Sequence, residues 1–131
     1  MNLPKAIIDV CRAIGASGGQ AWLVGGVVRD HLHVFEAKLQ QMGVEIVAEG
    51  ACMRLKGPEE LSPINVVTTF YPGFPTDLQP GMMALACIAK GDSYIRETVF
   101  EDRLGHVKNL RAFGARISPE KDRLVLVHGP A

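Results

Sequence analysis

The chain has 131 residues, 47% hydrophobic and 21% charged, with 14 acidic side chains balanced by 14 basic ones. A chain of this length makes one ordinary domain burying roughly two thirds of its unfolded surface, and its charge balance supplies no basic field for a nucleic-acid backbone or an anionic membrane. The start, MNLPKAIIDVCRAIG, lacks the charged segment and long apolar core of a signal peptide, and no apolar run approaches the roughly 18 residues of a membrane span, so a cytoplasmic protein without membrane or nucleic-acid partners is expected. Cys11, Cys52 and Cys87 are odd in number and form no CxxC pair, which argues against a disulfide framework and a zinc site.

Taken in chain order, Leu3, Ile7, Val10 and Ile14 recur at helical spacing behind Asn2 and Pro4, and Gly18-Gly19 ends that helix. Ala21 to Val24 suits a buried strand, and Val28, Leu32, Phe35, Leu39 and Met42 trace one face of a second helix that Gly43 stops. Val44 to Val47 and Met53 to Lys56 pair as strands around Glu49-Gly50, and the β-branched run Ile64 to Thr68 adds another. Thr76-Asp77 reads as the N-cap of a third helix, with Pro80 in its first turn and Met82, Met83, Leu85, Ala86 and Ile88 carrying it to Gly91. Ser93 to Thr98 reads as a strand, Val107 to Phe113 as a fourth helix, and Ala115 to Ile117 with Leu124 to Val127 as a closing hairpin.

The two halves repeat. KLQQMGVEI from Lys38 and NLRAFGARI from Asn109 share a leucine, a large apolar residue before glycine, the glycine and a final isoleucine. Both continue into RL-containing strands that end in Gly-Pro, at Gly57-Pro58 and Gly129-Pro130. Each unit is thus helix, strand, helix, strand, strand, and Ile64 to Thr68 gives the second a leading strand that the first lacks. The expected fold is α/β of the α+β kind, with about four helices and seven strands in a single compact domain spanning residues 1–131.

Two motifs carry a specific pattern: FPTDLQ at Phe74 to Gln79, and ETVFE at Glu97 to Glu101, within the longer ETVFEDRLGHVKNLRAFGA. From about Phe35 to Val127 the sequence resembles the UDP-N-acetylglucosamine 1-carboxyvinyltransferases, the enolpyruvyl transferases of peptidoglycan synthesis. That resemblance implies a βαβαββ module, which those enzymes repeat three times per domain with helices inward and sheets outward. It makes Asp77 the position of a candidate general base against the amino-sugar hydroxyl that attacks phosphoenolpyruvate, flanked by Thr76. It places Val99 and Phe100 along the nucleotide-sugar site through their backbone, and Arg103 at the family's arginine. A helix N-terminus organises such a base within about 3 Å of the hydroxyl; the alternative reading of Asp77 is a first-turn carboxylate facing the helix macrodipole. Asp102, Leu104 and Gly105 stand where the family usually has asparagine, phenylalanine and methionine.

The preceding stretch, LPKAIIDVCRAIGASGGQAWLVGGVVRDHL, is similar to the start of the tRNA nucleotidyltransferase and poly(A) polymerase head domain. That resemblance implies a phosphate-binding strand, Gly-Gly and helix element at Gly25, Gly26 and Arg29, with a tight strand-to-helix turn as the alternative. The metal-binding DxD of that family occurs nowhere in this chain, so nucleotidyl transfer is not expected. Because the helical stripe runs from Leu32 to Phe35 without a break in period, a junction near His33 would lie inside one helix. The sequence therefore reads as a chimera of two enzyme fragments, 1–33 and 34–131, engineered or selected; a natural remnant gene is the alternative. No autonomous catalysis is expected, because the family's phosphoenolpyruvate-holding groups sit on its other domain; weak binding of a nucleotide or nucleotide sugar is the alternative function. No metal or cofactor is expected: His31 and His33 point to different helix faces. His106 would cap a helix or line the site, while Trp22 and Met82-Met83 read as core. Unmatched helix faces suggest self-association into a homo-oligomer.

Overall fold

A computed structural model gives the backbone of residues 21–24, 26–49 and 52–130, and the side chains of 33–49 and 52–130. The chain divides into two compact units, Met1–Glu59 and Glu60–Ala131, the boundary falling just after the Gly57-Pro58 that closes the first repeat. The expected helix around Leu3 to Ile14 lies outside the described residues.

In the first unit β1 (Ala21–Val24) leads into α1 (Gly26–Gln41), followed by β2 (Glu45–Glu49) and β3 (Cys52–Lys56). The strands form an antiparallel sheet in the order β1-β3-β2, with Ile46 opposite Leu55 and Trp22 opposite Arg54. Phe35, Leu39 and Met42, spaced four and three apart, are buried together with Val44 and Leu55. Gly43 stops α1 with φ +95°, where a side chain would be strained, and the backbone closes by Gly43 N donating to Gln40 O at 2.9 Å and Val44 N to Leu39 O at 3.0 Å.

The second unit opens with β4 (Asn65–Val67), continues through a 3₁₀ turn at Thr76–Leu78 into α2 (Gln79–Ala86), and adds β5 (Asp92–Arg96), α3 (Val107–Ala112), β6 (Arg116–Pro119) and β7 (Leu124–His128). Its sheet runs β4-β5-β7-β6: β4 and β5 are parallel across the α2 crossover, and the remaining pairs are antiparallel. This is the βαβαββ arrangement. Period-two alternation sends Ile64, Val66 and Thr68, then Ser93, Ile95 and Glu97, then Val125 and Val127 to one buried face. Met82, Met83 and Ala86 of α2 are buried too, and α2 packs on β5 and β7 while α3 packs on β6.

The repeat is structural as well as textual. Gly114 has φ +95°, as Gly43 does, and its helix closes by the same pair of bonds, Gly114 N to Arg111 O and Ala115 N to Leu110 O, both 3.0 Å. Arg116 pairs with His128 and Ile117 with Val127, as Glu45 pairs with Lys56 and Ile46 with Leu55.

Seven strands and three α-helices among the described residues agree with the expected α+β class. Two local expectations need correction. Thr76 does not cap α2: the chain enters through the 3₁₀ turn, and the Thr76 hydroxyl donates to Glu97 instead. The helix ends at Ala86, short of Gly91: after Cys87 N donates to Met83 O the turn tightens, with Ile88 N and Ala89 N donating to Leu85 O and Ala86 O, and Lys90 N leaves it to donate to Leu61 O at 2.8 Å.

Candidate functional site

The parallel strands β4 and β5 end side by side, and their exits are stitched together. Thr98 N donates to Thr68 Oγ1 at 3.0 Å, and the Thr98 hydroxyl donates to Thr68 O. Beyond Thr68 the chain reverses in a turn closed by Gly73 N to Phe70 O at 2.8 Å and Thr69 N to Phe74 O at 3.0 Å. Only glycine fits at Gly73, where an added Cβ would lie 1.5 Å from Thr69 Oγ1. Phe74 is buried under the turn while Phe70 and Tyr71 remain exposed. Pro75 then delivers Thr76 and Asp77 on the 3₁₀ turn.

Glu97 sits beneath this edge. It continues the inward face of β5 past Ser93 and Ile95, and it is only 1% exposed. Its Oε2 accepts from the Thr76 hydroxyl at 2.8 Å, and its Oε1 accepts from Val99 N at 2.9 Å and Phe100 N at 3.2 Å. Burial works to raise its pKa, but hydrogen bonds from Thr76, Thr68 and the Phe100 and Val99 amides outweigh it and hold the carboxyl below its ordinary value. Glu97 is therefore a buried carboxylate on which several hydrogen-bond donors converge.

Above it, Asp77 is 73% exposed, and its Oδ1 accepts from Arg103 Nη1 at 2.8 Å. The Arg103 guanidinium also lies over the Phe100 ring, 4.9 Å from its centroid, a cation–π contact worth about 0.5–1 kcal/mol at an exposed site. Thr76, Asp77, Val99, Phe100 and Arg103 are thus linked along one rim by Glu97 on one side and the Asp77–Arg103–Phe100 chain on the other. Chemically the rim offers an oriented, solvent-accessible carboxylate beside a cation and an aromatic face, a combination able to accept a hydrogen bond from a ligand. Because Glu97 takes the Val99 and Phe100 amides, those two residues have only their carbonyls left to offer a ligand through the backbone.

Glu97 was not singled out as a site residue from the sequence. The alternation in DSYIRET, which puts Glu97 in phase with Ser93 and Ile95, was the available signal for an inward acid. Gln79, next to the rim, is also 1% exposed, with neither amide atom hydrogen-bonded among the described residues.

Of the other sequence candidates, Gly26 begins α1, while Gly25 and the side chains of Arg29, Trp22 and His31 lie outside the described residues. His33 lies 3.7 Å from Glu36 on the helix surface. His106 stands at the start of α3 without a side-chain cap bond, its Nε2 buried and its pKa pushed down by that burial. Cys52 and Cys87 are free thiols, and burial raises the pKa of Cys87. Among the described residues no group of three or more His, Cys, Asp or Glu side chains is placed to hold a metal, and no helix is long and apolar enough to cross a membrane.

A βαβαββ unit with an acid–arginine rim at the ends of its parallel strands defines the class of protein: an α+β domain of the enolpyruvyl transferase kind. The family model for EPSP synthase (3-phosphoshikimate 1-carboxyvinyltransferase) matches residues 13–131, and the chain belongs to that family. It is 48% identical over 118 residues to a UDP-N-acetylglucosamine 1-carboxyvinyltransferase of Thermobifida fusca, covering 88% of this chain and 27% of the relative. A UDP-N-acetylglucosamine 1-carboxyvinyltransferase 1 of Halalkalibacterium halodurans is 42% identical over 118 residues, covering 90% of this chain and 26% of the relative. The chain spans about a quarter of the length of these curated relatives. In structure it superposes on the enolpyruvyl transferase NikO of Streptomyces tendae with TM-score 0.81 at 25% identity, over 96% of this chain and 29% of that one. The fold is shared as well with an EPSP synthase from Acinetobacter baumannii, at TM-score 0.67 and 19% identity, over 99% of this chain and 29% of that one.

Proposed function

We propose that this chain is a partial enolpyruvyl transferase domain that presents one wall of a UDP-N-acetylglucosamine site and does not transfer the enolpyruvyl group by itself. The observation that carries the reading is the exposed Asp77 carboxylate, held by Arg103 at 2.8 Å on a rim built from the two motifs of the sequence. In the full reaction a sugar hydroxyl would lose its proton to such a carboxylate as its oxygen bonds to phosphoenolpyruvate. The family resemblance puts the charges that neutralise the phosphate and carboxylate of that second substrate on the enzyme's other domain, and electrostatic stabilisation of this kind is the larger share of such catalysis. Calorimetric titration with UDP-N-acetylglucosamine tests the reading: saturable binding lost in Asp77→Ala and Arg103→Ala is expected, and absence of binding at millimolar ligand refutes it. Enolpyruvyl product formed from UDP-N-acetylglucosamine and phosphoenolpyruvate above blank would refute the inactivity.

A chimeric origin, with residues 1–33 taken from a nucleotidyltransferase head, is the second reading. The direct passage from β1 into α1 at Gly26 favours it, since that is the strand, glycine and helix form of a phosphate cradle. The family match, which begins at residue 13, favours a single origin instead. An ATP-dependent rise in melting temperature supports the phosphate cradle at Gly25, Gly26 and Arg29, and no shift at millimolar ATP removes it. Self-association through exposed helix faces also belongs to the proposal, and Phe113, 91% exposed at the end of α3, is the side chain on which it is tested.

A further inference from the structure

We propose that Glu97 is a positioning residue that locks the Thr76–Asp77 turn and the Val99–Phe100 loop in one mutual setting, the setting that a nucleotide sugar would meet; this rests on the half-site reading above. The inward face of the sheet carries only neutral side chains besides Glu97, the apolar Ile95, Val125 and Val127 and the hydroxyls of Thr68 and Ser93, and an apolar residue at position 97 would fill the same face. It would also leave the Val99 and Phe100 amides and the Thr76 hydroxyl without the acceptor they share. A buried carboxylate is costly to desolvate, and it persists where several donors converge on it. Here the donors come from two separate pieces of chain. Thr76 belongs to the turn entering α2, and Val99 and Phe100 follow β5. Thr76 is adjacent to Asp77, and Phe100 lies under the Arg103 guanidinium that grips Asp77. The direction of Asp77 is therefore set twice, from above by Arg103 and from below by Glu97 through the backbone.

The two acceptor oxygens act on different sides, so substitutions separate them. Glu97→Gln can reproduce the whole pattern, with its amide oxygen accepting from Val99 and Phe100 and its NH₂ donating to Thr76 Oγ1, since a hydroxyl can also accept. Glu97→Ala removes both links, and Thr76→Val removes only the turn. Two readouts on the same samples test the assignment: amide exchange by NMR of Gln79, whose N–H donates to Thr76 O, and of Val99 and Phe100, and the affinity for UDP-N-acetylglucosamine. In Glu97→Ala, faster exchange at all three amides and an affinity loss of about tenfold or more are expected, the latter being the size of one charge-assisted hydrogen bond. Glu97→Gln should restore affinity to within about threefold, as a neutral bond replaces a charged one. Thr76→Val should speed exchange of the Gln79 amide while leaving Val99 and Phe100 protected. Should Glu97→Ala fail to fold, Glu97→Gln, Thr76→Val and their double variant carry the test, with non-additive effects on exchange expected for a shared network. A folded Glu97→Ala with unchanged exchange and affinity overturns the proposal, as does strict additivity in that cycle. If the parent chain binds no UDP-N-acetylglucosamine the half-site reading falls, while the exchange data still decide whether Glu97 locks the two segments.

Discussion

Replacing Gly129 with alanine should be the most damaging single-methyl change in the second unit. Gly129 follows β7 and passes directly against the chain leaving α2. A Cβ there would stand 1.6 Å from Ala89 O, 2.7 Å from Gly91 O and 2.8 Å from Ala89 C. Ordinary contact begins near 3.4 Å, so a displacement of about 1.8 Å (3.4 less 1.6) is required, and the obstacle is backbone that no rotamer change can move. A shift that large breaks the bond from Gly129 N to Gly91 O, now 2.9 Å, and disturbs the bond from Arg116 Nη2 to Gly129 O. Overpacking of a filled site costs about 1–3 kcal/mol and each lost hydrogen bond about 1 kcal/mol, so with one bond broken and a second disturbed the destabilisation is about 2–5 kcal/mol. For a unit of this size that lowers the melting temperature by roughly 8–40 °C. The repeat supplies the control. Gly57 occupies the matching Gly-Pro position in the first unit, and nothing lies within 4 Å of a Cβ built on it. Gly57→Ala should accordingly be neutral or stabilise by up to about 1 kcal/mol, because alanine restricts the unfolded chain. Urea and thermal unfolding followed by circular dichroism measure both; a Gly129→Ala protein within about 1 kcal/mol of the parent would refute the packing argument.

Three further outcomes follow from the geometry. Glu97 has a lowered pKa in the folded chain, so its stabilisation is complete above the unfolded carboxyl pKa of about 4.3 and is lost as pH falls through the lower folded value; urea midpoints of the parent and Glu97→Gln should differ by a constant amount above about pH 5 and converge in acid, and a gap widening in acid would contradict this. Asp122 and Arg123 both have positive φ, 57° and 56°, in the tight turn closed by Leu124 N to Lys121 O, so Arg123→Gly should stabilise by about 0.5–1 kcal/mol, and a loss of stability by the same assay would count against the turn geometry. Phe113→Ser should abolish concentration-dependent association in sedimentation velocity without lowering the melting temperature by more than a few degrees, since the side chain is exposed; association unchanged in the variant would rule Phe113 out of the contact.

Much of this fold is legible in the chain because its punctuation is glycine and its strands alternate. Gly43 and Gly114 were readable as helix stops from the repeated pattern around them, and both have φ +95°. The inward set of β5 and β7 follows from the alternation in SYIRE and LVLVH. The end of α2 was harder to read: Ile88 and Ala89 continue the apolar period past Ala86, and the helix yields to a backbone bond from Lys90 to Leu61, whose residues lie far apart in sequence. Thr76 looks like a cap in the sequence and is not one for a related reason. Its hydroxyl has a choice between a local amide and a carboxylate 21 residues away, and local spacing carries no information about the second. Asp77 and Arg103 were readable only through the family motif; that they meet at 2.8 Å depends on two loops that no periodicity describes.

The strand order β4-β5-β7-β6 also sets when the rim exists. β6 and β7 are joined by a short turn, whereas β4 meets β5 and β5 meets β7 only across crossovers of about 30 residues, so the rim, which needs β4 beside β5, waits on a closure far longer than the hairpin's. The Thr68–Thr98 stitch and the Thr76–Glu97 bond close with that pairing. A ligand resting on the rim would then act as a latch, holding together two strand exits that the chain itself joins only by a long detour.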